Sequence, residues 1–398
     1  MASRTAHKRQ RPRLNPDMLR WAREWRGRTL EEAARRVQKS TADIEAWEHE
    51  QDEVTGPTVR QARELADLYD RSFLEFFRKT PPPIPRSELV PDYRLHKQTD
   101  GREIRELELI QAWAEEKRTN ALDLYDEIGE EVPRVPERLF KNEAADVDEA
   151  AENARRVLKF ELAEQFALKA KDKDQLPNII RRKLERAGIL TLRRSELWEY
   201  GARGICIFAT PLPIIVYGSE SPGAQAFTLS HEIGHLVLQK SGISGARRRD
   251  TPYAVERWCD RFAASFLMPR DALRGILGPT VIPAPQNITD QQLSFMAARF
   301  RVSQHAMLIR LVHLGYVDER YYWGVKKPLF DEQEERYKSF ARPKYYASRY
   351  KSSVGDLYTG LVLEAWSSGR ITNHNAAEYM GIKSFEHLFA LRDNFSTG

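Results

Sequence analysis

The stretch from Phe227 to Leu238, FTLSHEIGHLVL, decides how the rest of this 398-residue chain is interpreted. On a helix, His231 and His235 lie four residues apart on one face, where two imidazoles can bind one Zn²⁺ ion. Glu232 lies beside them and could act on a metal-bound water as a general base. The alternative is a helix with two packed histidines and a surface glutamate, and these residues alone leave both interpretations open.

A second segment, VERWCDRFAASFLMP at residues 255–269, supplies what the first one lacks. A catalytic zinc site needs three protein ligands and an open position for water. Glu256 could supply the third ligand from a helix packed antiparallel to the first. Asp260, one helical turn further on, could orient a ligand histidine through its other ring N–H. Glutamate is more often solvated, but the apolar residues between 262 and 267 indicate a buried helix and favour a ligand.

Together the two motifs resemble the ImmA/IrrE family of metallopeptidases, over roughly residues 175–320. The resemblance implies a gluzincin-like site with one Zn²⁺ per chain, another divalent ion such as Mn²⁺ being the alternative. The site residues that it implies are the metal ligands His231, His235 and Glu256 and the water-activating Glu232.

The resemblance also predicts where a peptide would bind. In zincins an edge strand precedes the catalytic helix, and by this analogy Ile214–Tyr217 would bind an extended substrate by strand addition. The sequence departs from the family at Gln239, where His is frequent, and at Asp260, where Asn is frequent. Neither departure removes a metal ligand.

Residues 17–79 resemble a XRE-type helix-turn-helix, an arrangement common ahead of this peptidase type. The matching text is TLEEAARRV from residue 29 followed by STADIEAWE from residue 40. The resemblance implies that the helix beginning near Thr41 lies in the major groove of DNA. The helices expected in this block are Pro16–Trp25, Thr29–Val37, Thr41–His49 and Thr58–Leu68, and the candidate DNA contacts are Arg35, Arg36, Lys39 and Thr41.

The charges of this block oppose DNA binding. Residues 40–53 hold six acids and neither Lys nor Arg, and a carboxylate that faces phosphate is repulsive. Gln38 also replaces the turn glycine that is usual in the family. Three interpretations therefore compete: DNA binding with help from the basic tail, a protein-interaction or self-inhibitory module, and a tail that is merely solvated.

Composition narrows the class of protein further. The chain has 63 Lys plus Arg against 58 Asp plus Glu, a formal net charge of +5. Residues 1–16 hold five basic residues and no acid, so the whole excess lies in this tail and the rest is electrically balanced. A nucleic-acid partner therefore does not follow from net charge. With 41% hydrophobic and 30% charged residues, global disorder is excluded.

The order of elements predicts an α+β fold that is mainly α. Its expected parts are a basic tail (1–16), a helix-turn-helix bundle (17–79), a Pro-rich linker with long helices (80–174), a zincin-like peptidase domain with a small sheet (175–329) and a helical C-terminal region of unknown role (330–398). In the linker, long helices are expected at 101–129 and 143–171. Further on, the predicted helices are Leu176–Ala187, Gln225–Lys240, Ala254–Leu267, Asp290–Phe300 and Gln304–Leu314, and the strands are Ile189–Leu192, Ile205–Ala209 and Ile214–Tyr217.

Two features indicate a cytoplasmic protein without a membrane partner. The chain has only two cysteines, Cys206 and Cys259, which excludes a disulfide framework and fits a reducing compartment. No apolar run approaches the ~20 residues of a membrane span, and none follows the basic start as in a secretory signal. Cys259 has no supporting Cys or His cluster in the sequence and is interpreted as a small core residue.

The leading hypothesis is a zinc-dependent endopeptidase fused to a helix-turn-helix domain. The family resemblance implies cleavage of a specific regulatory protein, such as a transcriptional repressor, in a phage, mobile-element or stress response. The rival hypothesis is a non-enzymatic DNA-binding transcription regulator or antitoxin-like protein with a structural or sensory metal site. A complete HExxH with Glu256 favours the peptidase.

Overall fold

The computed structural model describes residues 11–49, 56–69, 71–81, 89–94, 101–169, 172, 175–245, 253–278, 288–335, 346–382 and 384–395. The chain divides into two compact units, Met1–Glu88 with Asp100–Leu109 and Leu89–Thr99 with Ile110–Gly398. The described residues are mainly helical and include a small sheet, as an α+β fold that is mainly α requires. The finer division into five parts stays a prediction.

Before residue 89, the described residues of the first unit form four helices whose starts are set by side-chain caps. They are α1 (Pro16–Trp25), α2 (Leu30–Val37), α3 (Thr41–His49) and α4 (Val59–Leu68), followed by a 3₁₀ segment at Phe73–Phe77. Thr29 and Glu32 form a capping box at α2, and Gln38 ends that helix in the left-handed region at φ 54°. Ala34, Val37, Ile44 and Trp47, two residues from each of α2 and α3, are all buried in the core of this block.

Fourteen further helices lie in the remaining described segments. They are α5 (Gly101–Ile128), α6 (Val147–Val157), α7 (Leu162–Ala167), α8 (Leu176–Arg186), α9 (Pro222–Val237), α10 (Ala254–Leu267), α11 (Arg270–Leu277), α12 (Asp290–Phe300), α13 (Gln304–His313), α14 (Glu319–Tyr321), α15 (Lys327–Glu335), α16 (Tyr346–Ser367), α17 (Asn373–Met380) and α18 (Phe385–Phe395). A π-helical turn at Tyr322–Lys326 joins α14 to α15.

Within the described residues, the sheet has four short strands. They are β1 (Leu190–Arg193), β2 (Ala202–Ile207), β3 (Ile214–Tyr217) and β4 (Gly242–Gly245), in the spatial order β1-β3-β2-β4. Strand β1 runs parallel to β3, whereas β2 runs antiparallel to both β3 and β4. The prediction that Ile214–Tyr217 is the edge strand is therefore wrong, because both of its sides are hydrogen-bonded. The edges are β1 and β4.

Helix α9 is the centre of the second unit. It packs on β2 and β3 and contacts α8 and α10, and its residues from Thr228 to Val237 are all buried. An ion pair supports this packing, since Arg310 on α13 lies 2.5 Å from Asp148 on α6 and donates to the carbonyl of Met268 at the end of α10. The apolar cluster around α9 thus fixes the helix that carries the HExxH motif.

One predicted helix is broken, and several elements were not predicted. The predicted helix over residues 143–171 is instead two helices, α6 and α7, because Lys159 between them adopts a φ of 53°, outside the right-handed helical region. Phe160 follows it and is buried, stacked on Phe266 with ring centroids 5.4 Å apart. Strand β4 and helices α11 and α18 have no counterpart among the predicted elements.

Candidate metal centre

Two closely packed helices position the predicted site residues. Ser221 caps α9, which carries the two histidines of the HExxH motif, and α10 carries Glu256 and Asp260. Gly234 permits the close approach, since a β-carbon there would lie 3.1 Å from both Cα and Sγ of Cys259. The glycine inside HEIGH therefore brings α10 up to α9.

The carboxylate of Glu256 lies next to both histidines of the HExxH motif. Nε2 of His231 lies 3.3 Å from Oε2 of Glu256, and Nε2 of His235 lies 2.8 Å from Oε1. Ligand atoms around a tetrahedral zinc with bonds of ~2.0–2.1 Å are about 3.3 Å apart, and the distance between His231 and Glu256 matches this value. The three residues are only 6%, 0% and 8% exposed.

The hydrogen bonding of the cluster leaves room for a cation. Among the residues that the structure describes, none makes a hydrogen bond with Nε2 of His231, and Oε1 of Glu256 is close to His235 without an aligned hydrogen bond. An unpaired buried polar atom costs ~1–3 kcal/mol, so such atoms usually have a partner. Two imidazoles and one carboxylate form a donor set that zinc accepts.

Asp260 orients the first histidine. Its Oδ1 lies 3.1 Å from Nδ1 of His231, on the side of the ring opposite to Glu256. This leaves Nε2 to face the cluster, which is the arrangement expected when a carboxylate fixes the tautomer of a metal-binding histidine.

The neighbouring carboxylates and burial shift the pKa values of the two histidines in opposite directions. Burial opposes the charged form of His231, but Glu256 and Asp260 outweigh it and raise the pKa of His231 well above its usual value. Burial lowers the pKa of His235. For Glu256 burial is outweighed by His231, and its pKa falls to about 2. Without a metal, a protonated His231 faces an ionised Glu256, and a metal ion would replace that proton.

Glu232 lies in the same buried region with its carboxyl group unpaired. It is fully buried, and none of the described residues makes an ordinary hydrogen bond to either carboxylate oxygen. Burial raises its pKa to about 8, although His231 and the nearby Ser244 hydroxyl act in the opposite direction. Its carboxyl group contacts the backbone of Gly204 on β2, where a β-carbon would collide with it. A carboxyl group in this state can exchange a proton near neutral pH.

Cys259 lies nearer to the histidines than the sequence indicated. Its Sγ and one ring nitrogen of each histidine lie within 4.8 Å of one another, so the thiol belongs to the cluster rather than only to the core. Burial raises its pKa well above the usual value, which keeps it protonated, whereas metal ligation needs the thiolate. Glu256 has a lowered pKa and is ionised without such a cost.

Two further residues reach the cluster from elements that the sequence did not connect with it. The Ser244 hydroxyl on β4 lies 3.3 Å from Nε2 of His235. The ring of Tyr93 stacks on that imidazole with centroids 5.7 Å apart and planes inclined by 16°. Ser244 lies in a four-residue strand and Tyr93 in a Pro-containing stretch, so neither has a local pattern that predicts a site.

The candidate DNA contacts lie on the first unit. Arg35, Arg36, Lys39 and Thr41 are all exposed. The expected acidic face is weaker than predicted, because Glu48 is buried in an ion pair with Arg23 at 2.7 Å. Asp43 accepts hydrogen bonds from Ser40, whose hydroxyl receives the Asp43 N–H in return, and so caps α3. Of the other acids, Glu45 is exposed, and Glu50, Asp52 and Glu53 lie outside the described residues.

Fold and site together define a mainly helical protein in which two packed helices carry a buried group of side chains that could bind a metal ion. Residues 184–312 match the peptidase M78 family model, described as the IrrE N-terminal-like domain. This range runs from α8 into α13 and includes every residue of the cluster except Tyr93. The match supports the ImmA/IrrE family for this segment and suggests a metallopeptidase. Searches of curated proteins and of solved structures gave no match. Among the described residues, no helix is both long and apolar enough to cross a bilayer.

Proposed function

We propose that this protein is a zinc-dependent endopeptidase. The observation that carries the proposal is the contact of both His231 and His235 with Glu256, with the unpaired carboxyl group of Glu232 in the same buried region. A structural metal site would need only ligands, whereas a buried acid without a partner has a cost that catalysis explains. The family match over residues 184–312 supports the same reaction class.

Each residue of the cluster has a distinct part in this reaction. His231, His235 and Glu256 would hold the ion, and Asp260 would keep His231 in the correct tautomer. When bound, zinc supplies Lewis-acid polarisation of a carbonyl and a more acidic water. Glu232 accepts the proton of the attacking water at its carboxylate and passes it to the leaving amine. A divalent cation bound beside Glu232 would lower its pKa from the raised value and favour the ionised base.

The substrate that we propose is a specific regulatory protein, such as a transcriptional repressor, cleaved in a phage, mobile-element or stress response. The support for this is the ImmA/IrrE resemblance. A cytoplasmic location belongs to the same proposal and is supported by the two cysteines, both of which are free and buried.

Replacing Glu232 by Gln tests the reaction class. Loss of general-base catalysis lowers the rate about 10²- to 10⁴-fold, while the three ligands still hold zinc. The measurements are hydrolysis of fluorescein-labelled casein and zinc content, with Glu199→Gln, an exposed residue of the same unit, as the matched control. If Glu232→Gln retains full hydrolysis with zinc bound, the peptidase proposal is wrong.

A second candidate function is DNA binding by the first unit, as in the regulator or antitoxin-like alternative. The observation that favours it is the exposure of Arg35, Arg36 and Lys39 together with the inward position of Glu48. Because Glu48 is buried rather than exposed, one of the six acids of residues 40–53 does not repel DNA phosphates from this surface. This function and peptidase activity do not exclude each other.

The test is binding of duplex DNA at two salt concentrations. Arg35→Ala with Arg36→Ala should weaken binding and reduce the salt slope by about one for each lost phosphate contact. Arg60→Ala, an exposed arginine on α4, is the control. A tail deletion should stop at residue 10, because Leu14 is buried and Asn15 caps α1. Absence of binding at low salt would remove this function.

A further inference from the structure

A short segment of the chain lies along the outer edge of β4. Residues 89–94, here called the edge segment, read LVPDYR. Ile243 donates its N–H to the carbonyl of Pro91 at 2.9 Å, and Tyr93 donates its N–H to the carbonyl of Ile243 at 3.0 Å. Asp92 and Ile243 thereby form a parallel bridge. The edge segment belongs to the same unit as the sheet and adds to it as a strand would.

This added strand lies directly over the metal centre. Ile243 is followed by Ser244, whose hydroxyl lies 3.3 Å from His235. The Tyr93 ring covers the His235 imidazole and packs edge-on against Tyr253, with centroids 5.1 Å apart. Gly242 makes this fit possible, because a β-carbon there would collide with the Tyr93 ring.

Groups outside the metal centre hold both ends of the edge segment. At one end, the N–H of Val90 donates to Oε1 of Gln111, a buried side chain of α5, at 2.9 Å. At the other end, the buried Arg94 pairs with Asp92 at 2.6 Å and donates to the carbonyl of Tyr200. The position over His235 is thus fixed by two anchors, Gln111 and Arg94.

The backbone hydrogen bonds of Ile243 allow only one strand at a time to pair with the outer edge of β4. Ile243 turns one N–H and one C=O away from β2, and Pro91 and Tyr93 use both. An extended peptide that adds to a sheet edge needs the same backbone groups. A peptide and the edge segment therefore cannot pair with Ile243 at the same time.

We propose that the outer edge of β4 is the peptide-binding edge of this protein and that residues 89–94 are its intramolecular occupant, which a substrate must displace. The inference rests on the proposed peptidase function and adds its regulation. It puts substrate binding at β4, the edge next to His235, in place of the interior strand β3. The apparent affinity for a peptide is then reduced by the fraction of molecules in which the edge is free.

The first test measures peptide binding and needs no turnover. The probe is a fluorescein-labelled LVPDYR peptide, titrated into the zinc-loaded full chain carrying Glu232→Gln. Adding Gln111→Ala and Arg94→Ala removes both anchors and should tighten binding about tenfold. Arg118→Ala is the matched control, because Arg118 also donates to backbone carbonyls, those of Pro211 and Leu212. Equal affinity with and without the anchors would overturn the proposal.

The second test measures hydrolysis of labelled casein with Glu232 intact. The variant without anchors should cleave about tenfold faster than the unmodified chain and the Arg118→Ala control. Tighter peptide binding with an unchanged rate of cleavage would overturn displacement as a barrier to turnover. If the peptide binds more tightly but no zinc-loaded variant cleaves casein, the peptidase function is contradicted. The proposal that residues 89–94 occupy the peptide-binding edge would still stand in that case.

Discussion

Replacing Gly204 by Ala tests whether the position of Glu232 matters for the chemistry. Gly204 lies in β2, and a β-carbon there would lie 2.7 Å from Cδ and 2.8 Å from Cγ of Glu232. Ordinary contact begins at 3.4 Å, so the carboxyl group must retreat by at least about 0.7 Å. The strand cannot easily yield instead, because β2 is hydrogen-bonded to β3 on one side and to β4 on the other.

The size of the effect follows from this displacement. A misplacement of about 1 Å in a catalytic arrangement can cost about 10²-fold in rate, and overpacking a core site costs typically about 1–3 kcal/mol of stability. The metal ligands are not in the collision, so zinc affinity should change little. Gly204→Ala should therefore remain folded and bind zinc but hydrolyse casein about a hundredfold more slowly.

The assay combines zinc content, thermal unfolding and casein hydrolysis on the same preparation. Gly275→Ala is the matched control, since a β-carbon at Gly275 meets no atom within 4 Å. Full hydrolysis by Gly204→Ala with normal zinc content would refute the reasoning, because Glu232 would then act from a position other than the one described. Loss of zinc along with activity would mean that the collision is relieved through the ligands.

Three further predictions concern Asp260, at the cluster, and Asp148, in its ion pair with Arg310. Asp260→Asn should weaken zinc binding about 10- to 100-fold in competition with a chelator, because it removes the charged partner of His231, whereas the exposed Asp271→Asn should not. Asp148→Ala should lower the free energy of unfolding in urea by about 3–5 kcal/mol at pH 7, since it leaves Arg310 buried and unpaired. The third prediction is a pH dependence. Burial acts to raise the pKa of Asp148, but Arg310 outweighs it and lowers the pKa below the ordinary 3.8. This stabilisation is present above about pH 3.8 and is lost as the pH falls through the lowered pKa, so the deficit of Asp148→Ala relative to the unmodified chain should shrink in acid.

Much of the local structure could be predicted from the sequence, because its causes are local. Helices α1, α3 and α10 and strand β3 begin and end at the predicted residues. Caps and apolar spacing within a few residues determine such boundaries. The helix predicted over 143–171 failed for a non-local reason. The helix breaks at Lys159, and Phe160 packs against Phe266, more than a hundred residues away. The residues near Lys159 contain no pattern that predicts this break.

The candidate site divides in the same way. The spacing of His231, Glu232 and His235 is contained in five residues, and Glu256 and Asp260 lie one helical turn apart in a second short motif. The edge strand was wrongly predicted because strand order depends on pairing across the sheet, and β4, with the sequence GISG, has a single β-branched residue to mark it. Tyr93 reaches His235 only through that pairing.

Three glycines illustrate what the sequence contained but local patterns could not interpret. Gly204, Gly234 and Gly242 would each be taken as turn or flexibility signals, yet none has a positive φ. Each instead lies where another group comes close: the Glu232 carboxyl at the first, the backbone of α10 at the second and the Tyr93 ring at the third. Glycine inside a strand or a helix–helix contact often marks such an approach. The positions of these glycines therefore specify how α9 packs between β2 and α10 and how residues 89–94 cover β4, but only once the partner of each is known.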